Sequence, residues 1–198
     1  MAAAVEAGAD AVGFVLYGRS PRHVSAARAG ELARALPPFV TPVCLFVNAK
    51  PDDIHRALDH MPRAVLQFHG DETPAQCEAT RHTYIRAARM AEGLALVDFA
   101  HAFASASALL LDADVQGYGG GGKVFDWSLI PRNVPRPVVL SGGLHAGNVI
   151  EGILRVRPWA VDVSSGVEAA KGIKDAAAIR RFCEAVREAD ARIADTET

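Results

Sequence analysis

Residues 137–168 read PVVLSGGLHAGNVIEGILRVRPWAVDVSSGVE and contain two similar units in succession. Each unit has a short apolar run that leads into small residues, Ser-Gly-Gly at 141–143 and Ser-Ser-Gly at 164–166. The segment between the two runs, 145–156, has apolar residues at helical spacing. Continuous apolar strands that alternate with helices are typical of a parallel sheet covered by helices. This stretch therefore predicts a parallel α/β fold.

The same alternation extends along the chain. After a helical segment at 1–7, helices are predicted at 25–36, 51–61, 73–82, 92–103, 145–156 and 175–192. Strands are predicted at 10–17, 42–48, 63–69, 84–89, 107–113, 137–142 and 159–165. An open doubly wound sheet and a closed (β/α)8 TIM barrel would both produce this alternation. The barrel is favoured, because polar residues collect at the strand ends and no Gly-rich loop follows the first predicted strand.

The number of strands is one short of a closed barrel. Seven strands are predicted, whereas a barrel of this class has eight. The chain starts in the helical segment MAAAVEA, so the absent strand is expected to be the first. We expect residues 1–198 to form one TIM-barrel domain that lacks this strand and is marginally stable. An upstream segment of about 15 to 20 residues would supply the strand.

The composition argues against several classes of partner. A net charge of −2 and scattered basic residues disfavour nucleic acid and anionic membrane surfaces. The chain has neither an apolar run of about 18 residues nor a signal-peptide pattern. Cys44, Cys77 and Cys183 are too widely spaced for a disulfide framework or a thiolate zinc site, which predicts a cytoplasmic protein. The histidines and aspartates show no convincing metal-ligand spacing.

The two small-residue loops predict a phosphate site. Exposed backbone N–H groups beside helix N-termini suit a phosphate dianion, and in TIM barrels such a site recurs after the last two strands. The candidate donors are the N–H groups of Gly142, Gly143, Ser165 and Gly166, and Asp162 and Ser164 of the same segment are candidate substrate-binding residues. Either glycine turn alone could simply be a turn, but its repetition in consecutive units favours phosphate binding.

Asp112 follows the apolar run Leu109–Leu111 at the end of a predicted strand. Partial desolvation there favours the protonated form of a carboxyl group, which makes Asp112 a candidate general acid. The alternatives are a carboxylate that caps the next turn or pairs with Lys123 or Arg22, and Asp114 competes for the same role.

Three further features are predicted to line the same face. Arg22 follows the first predicted strand, and its guanidinium could hold a substrate carboxylate through two hydrogen bonds, although an exposed loop arginine is the alternative. Gln67 and His69 are two residues apart on one strand, so both are expected at the barrel mouth, with His69 as a lining residue. The glycines of GYGGGGK predict a mobile flap or a plain connector; they are Gly119, Gly120, Gly121 and Gly122.

These motifs together resemble, in order, the phosphoribosylanthranilate isomerase family of tryptophan biosynthesis. The matching stretches are GADAVGFVLYGRSPRHVS, LFVNA, LQFHGDE, LLLDA, YGGGGKVFDWSLI, LSGGL, VDVSSGVE and GIKD. The resemblance implies an acid-base Amadori rearrangement of N-(5-phosphoribosyl)anthranilate to 1-(2-carboxyphenylamino)-1-deoxyribulose 5-phosphate, without metal or organic cofactor. It also implies that Asp112 is the general acid, that Arg22 meets the anthranilate end, and that the last two loops hold the phosphate.

The sequence departs from the family at its N-terminus. The family begins with a strand that carries a Lys-Ile-Cys-Gly motif, whose cysteine is the general base, and this motif is absent from the 198 residues. Cys44 lies within a predicted strand, and Cys77 and Cys183 lie within predicted helices, so none is expected to replace it. We therefore expect impaired activity.

Two alternatives stay open. One is another phosphosugar barrel enzyme, such as an epimerase that needs a metal cluster or a synthase that needs strand-end lysines. The other is a non-catalytic binder of phosphoribosyl ligands. The expected partner is a small phosphoribosyl molecule in each case, and the chain could be a monomer or a homodimer.

Overall fold

The structure is a computed structural model that describes residues 1–113 and 124–196. The helices are α1 (Ala2–Glu6), α2 (Ala26–Ala33), α3 (Pro51–His60), α4 (Pro74–Ala79), α5 (Leu96–Ala102), α6 (Val149–Val156) and α7 (Ala176–Thr196). The strands are β1 (Ala11–Val15), β2 (Thr41–Phe46), β3 (Val65–Phe68), β4 (Tyr84–Met90), β5 (Ala108–Ala113), β6 (Val138–Leu140), β7 (Ala160–Val161), β8 (Glu168–Ala170) and β9 (Ile173–Lys174). None of these helices is long and apolar enough to cross a membrane.

Strands β1 to β7 form one parallel sheet in chain order. A doubly wound sheet reverses its strand order at a switch point, and these seven strands show no reversal. The order is that of a TIM barrel, and the seven predicted strands are confirmed.

Local signals fix where the helices begin and end. Thr73 opens α4 with a capping box, in which its side chain accepts from the Gln76 N–H and the Gln76 side chain accepts from the Thr73 N–H. Helix α4 then gives way to a turn in which Arg81 has a φ of 51°, so it is shorter than the predicted 73–82. Ser25 caps α2 by accepting from the Arg28 N–H.

The two-residue period of the strands separates the helix-facing side from the barrel interior. In β5, Leu109 and Leu111 pack in the large core cluster under the helices, whereas Leu110 packs in a separate cluster with Ala87 and Val139. Asp112 is on the same side as Leu110, two residues further along. The strand that looks uniformly apolar in sequence therefore delivers its final carboxylate to the interior.

The sheet is open between β1 and β7, each of which pairs with one neighbour among the described strands. The helical layer is continuous at this point, because Ala7, which follows α1, is buried in the same cluster as Phe182 and Ala189 of α7. The Arg187 guanidinium also donates to the Ala7 carbonyl oxygen at 2.8 Å. Helices α1 and α7 are thus neighbours, whereas strands β1 and β7, which lie beneath this part of the helical layer, do not pair with each other.

A short antiparallel hairpin of β8 and β9, which was not predicted from the sequence, follows β7. Its turn contains Gly172, which has a φ of +84°. A β-carbon at Gly172 would lie 2.9 Å from the Pro21 carbonyl oxygen, so the hairpin rests closely on the loop after β1. This contact spans the gap between β1 and β7.

Candidate active site

The site lies at the carboxyl ends of the parallel strands, where alternate residues point into the barrel. Four of the strands bring inward-facing polar side chains to this end of the sheet, among them Gln67 and His69, Asp112, Ser141 and Asp162. Parallel strands bring their carboxyl ends to one face. The sequence predicted each of these residues at a strand end, but not the hydrogen bond between Ser141 and Asp162.

Asp112 and His69 form the buried centre of the site. Asp112 Oδ2 lies 3.0 Å from His69 Nε2, and Gln67 Nε2 lies 3.2 Å from His69 Nδ1. The other Asp112 oxygen accepts from the Ala113 N–H at 2.9 Å. Both side chains are less than 10% exposed, at 8% for His69 and 9% for Asp112. A proton between Asp112 and His69 is therefore shielded from water and held on a defined axis.

A second carboxylate stands beside this pair. Asp162 Oδ2 accepts from the Ser141 hydroxyl at 2.9 Å. Burial raises the pKa of Asp162, and the nearby Asp112 carboxylate acts in the same direction, although the Ser141 hydrogen bond opposes both. Two acidic groups with different partners thus share the mouth of the sheet.

The loops after β6 and β7 are tightly built. Gly142 and Gly143 have φ values of 78° and 65°, and a β-carbon on Gly142 would lie 2.5 Å from the Ala113 nitrogen. A β-carbon on Gly166 would overlap the Leu144 carbonyl oxygen. Side-chain substitution is therefore strained at Gly142 and sterically blocked at Gly166.

These loops leave backbone donors uncommitted. Within the described residues, the N–H groups of Gly142, Gly143, Ser165 and Gly166 have no hydrogen-bond acceptor. The Asn148 amide braces the first loop by donating to the Gly143 carbonyl at 3.1 Å, and Asn148 immediately precedes α6. A cluster of unpaired N–H groups suits an anion.

Arg22 is neither an exposed loop residue nor a partner of Asp112. Its Nε and Nη2 donate to the two carboxylate oxygens of Glu168 at 2.6 and 2.8 Å. The side chains of Arg22 and Glu168 are 13% and 6% exposed. Glu168 was not predicted from the sequence, because it and Arg22 are 146 positions apart.

The three cysteines lie away from this site. Burial raises the pKa of the Cys44 thiol to about 12 and that of Cys77 to about 11. Burial also raises the pKa of Cys183, which lies in α7. A thiol with a raised pKa stays protonated at neutral pH, so it is not available to accept a proton. The predicted flap glycines, together with Asp114 and Lys123, lie outside the described residues.

Comparison with known proteins identifies the family. The sequence profile of N-(5'-phosphoribosyl)anthranilate (PRA) isomerase matches residues 1–185. The chain belongs to this family. The N-(5'-phosphoribosyl)anthranilate isomerase of Leptothrix cholodnii is 69% identical over 195 residues, which cover 98% of this chain and 89% of that protein.

Solved phosphoribosylanthranilate isomerases share the fold. The Thermotoga maritima enzyme superposes with a TM-score of 0.87 at 40% identity, covering 94% of this chain and 92% of that one. A structure in complex with reduced 1-(o-carboxyphenylamino)-1-deoxyribulose 5-phosphate has a TM-score of 0.81 at 37% identity, covering 94% and 92% of the two chains. The family is thus established by sequence and by fold.

Proposed function

We propose that this chain provides the acid and the substrate-binding groups for isomerising N-(5'-phosphoribosyl)anthranilate to 1-(2-carboxyphenylamino)-1-deoxyribulose 5-phosphate. The observation that carries the proposal is the buried Asp112–His69 contact of 3.0 Å, set beside two loops with free backbone donors. These are an acid and an anion site on one face of the sheet, as a phosphosugar rearrangement requires.

In the proposed reaction Asp112 gives its proton to the ribose ring oxygen, and the ring opens to a Schiff base. A base then removes the proton from C2, which yields an enolamine, and the enolamine tautomerises to the ketone. His69 holds Asp112 in place, since its Nε2 is the side-chain group bonded to the Asp112 carboxyl. The reaction needs no redox partner, because it only moves a hydrogen from C2 to C1.

The two ends of the substrate are assigned to different elements. The phosphate would accept from the N–H groups of Gly142, Gly143, Ser165 and Gly166, with Ser164 and Asp162 lining the same loops. Arg22 would meet the anthranilate carboxylate from the loop after β1. The substrate would then lie across the mouth of the sheet, with its ribose near Asp112.

We further propose that the gap between β1 and β7 is the place of an eighth strand that carries the general-base cysteine. The supporting observation is that α1 and α7 pack together while the strands inside them remain unpaired. Cys44 packs in the core cluster under the helices, Cys77 and Cys183 lie in α4 and α7, and burial raises the pKa of all three thiols. The 198 residues alone should therefore turn over slowly. Three free cysteines are also consistent with the proposed cytoplasmic location.

The test compares the 198-residue chain with a chain extended at its N-terminus by a strand bearing Lys-Ile-Cys-Gly. We expect loss of substrate fluorescence to be fast only for the extended chain, and Asp112→Asn in that chain to lower kcat by about 10² to 10⁴-fold. Asp53→Asn, in an exposed pair with Arg56, is the matched control and should leave kcat unchanged. Binding of the reduced product analogue without turnover by the extended chain would favour a non-catalytic binder.

A further inference from the structure

Arg22 and Glu168 join two loops across the open side of the sheet. Arg22 lies after β1 and Glu168 begins the hairpin after β7. Their contact is bidentate, with both Glu168 oxygens engaged at 2.6 and 2.8 Å. Such a fork fixes the plane of a guanidinium as well as its distance.

Glu168 is itself held from a second side. Lys174 Nζ donates to Glu168 Oε1 at 3.0 Å and to the Ser164 carbonyl oxygen at 2.7 Å. Partial burial raises the pKa of Glu168, but the hydrogen bonds from Arg22 and Lys174 outweigh it and lower the pKa to about 2. Glu168 is therefore a charged, fixed support at neutral pH.

The pair leaves part of the guanidinium available. Glu168 occupies the Nε and Nη2 edge of Arg22, and Nη1 has no protein partner among the described residues. Two cations, Arg22 and Lys174, face one carboxylate, Glu168, so the cluster keeps a net charge of 2 − 1 = +1. The free edge of the guanidinium can thus donate to a second carboxylate, whose negative charge would balance the remaining positive charge of the cluster.

We infer that Glu168 is a positioning residue for substrate recognition, which orients Arg22 so that its free edge meets the anthranilate carboxylate. This inference rests on the proposed function. Orienting the arginine before binding reduces the ordering cost that the ligand must meet. Glu168 does not itself contact the substrate, and its effect should be confined to ligands that carry the anthranilate carboxylate.

The experiment measures binding to the 198-residue chain by calorimetry, with two ligands. One is the reduced product analogue 1-(o-carboxyphenylamino)-1-deoxyribulose 5-phosphate, and the other is ribose 5-phosphate, which has no anthranilate ring. Glu168→Gln keeps the side-chain volume and one hydrogen-bond acceptor. It should raise the dissociation constant of the analogue about tenfold, and change that of ribose 5-phosphate less than about twofold. Glu31→Gln, in the exposed Arg28 pair, is the matched control and should change neither.

A double-mutant cycle separates positioning from general stability. In an Arg22→Met background, Glu168→Gln should no longer weaken the analogue, because the group it orients is gone. Glu168→Asp should bind the analogue more tightly than Glu168→Gln does, because aspartate keeps the negative charge that pairs with Arg22, although its side chain is shorter. Circular dichroism gives the folded fraction of each variant, and dissociation constants are referred to folded protein. On that basis, equal weakening of the binding of both ligands, tighter binding of the analogue, or additive losses in the cycle would each overturn the inference. Failure of the unmodified chain to bind either ligand would overturn the proposed function itself.

Discussion

Two carboxyl groups at the mouth of the sheet, Glu168 and Asp162, have pKa values that are shifted in opposite directions. The pKa of Glu168 is lowered to about 2 by its cationic partners, whereas burial and a neighbouring carboxylate raise the pKa of Asp162. The difference follows from their neighbours, because Glu168 meets Arg22 and Lys174 while Asp162 meets Ser141. Glu168 is therefore an anion at neutral pH, whereas the pKa of Asp162 is shifted in the opposite direction.

The lowered pKa of Glu168 predicts a specific pH dependence of stability. Its ordinary value is 4.5 and its folded value about 2, so its contribution is full above pH 4.5 and is lost as the pH falls towards 2. We expect Glu168→Gln to cost up to about 3 kcal/mol at pH 7 and progressively less below pH 4.5. Urea unfolding at pH 7, 4.5, 3 and 2 measures the difference. A difference that is constant with pH would contradict the assignment.

At the scale of elements, one buried arginine joins β4 to its surroundings. Arg86 is 5% exposed and donates to the carbonyl oxygens of Phe68 and Gly70 at 2.8 and 3.0 Å. Its guanidinium also lies 5.6 and 4.8 Å from the ring centroids of Phe99 and Phe103 in and after α5. The Arg86 side chain thus links strand β4 to the end of β3 and to helix α5.

Replacing Arg86 should destabilise these elements together. Arg86→Leu leaves two buried carbonyl oxygens without their donor and removes a cation from the Glu72 carboxylate, 3.5 Å away. We expect a loss of about 2 to 4 kcal/mol in the free energy of unfolding, measured by urea titration. Arg56→Leu, which breaks an exposed pair with Asp53, is the control and should cost less than about 1 kcal/mol. Equal losses for the two variants would exclude this role.

Sequence patterns predicted what is encoded locally. Apolar runs placed all seven parallel strands, and the two-residue period placed Gln67 and His69 on the same face of one strand. The β8–β9 hairpin and the Arg22–Glu168 pair were missed because their partners are set by tertiary contacts rather than by neighbours in sequence. Asp112 was predicted as a candidate, but its bond to His69 required the sheet register.

At the scale of the whole molecule, contacts outside the sheet join the elements on either side of the gap between β1 and β7, and the Gly172 turn against Pro21 is one of them. Helix α1 packs on α7, Arg187 donates to the Ala7 carbonyl, and Arg22 pairs with Glu168 across the gap. The hydrogen-bond ladder itself is interrupted between β1 and β7. Side chains thus hold together a ring whose backbone pairing is incomplete.

This arrangement predicts unequal local stability around the ring. Because Leu16 donates to the Leu45 carbonyl and alternate N–H groups point to opposite sides, the Gly13 N–H faces the open edge. Hydrogen exchange should therefore be faster in β1 and β7 than in β5, which pairs on both sides. Phe182→Ala, which opens a cavity where α7 meets Ala7, should speed exchange in α1 and β1 more than in β4. Mass spectrometry of the exchanged chain measures each segment. Uniform protection across all seven strands would mean that the open edge carries no energetic cost, and the side-chain contacts would then not be what holds the ring closed.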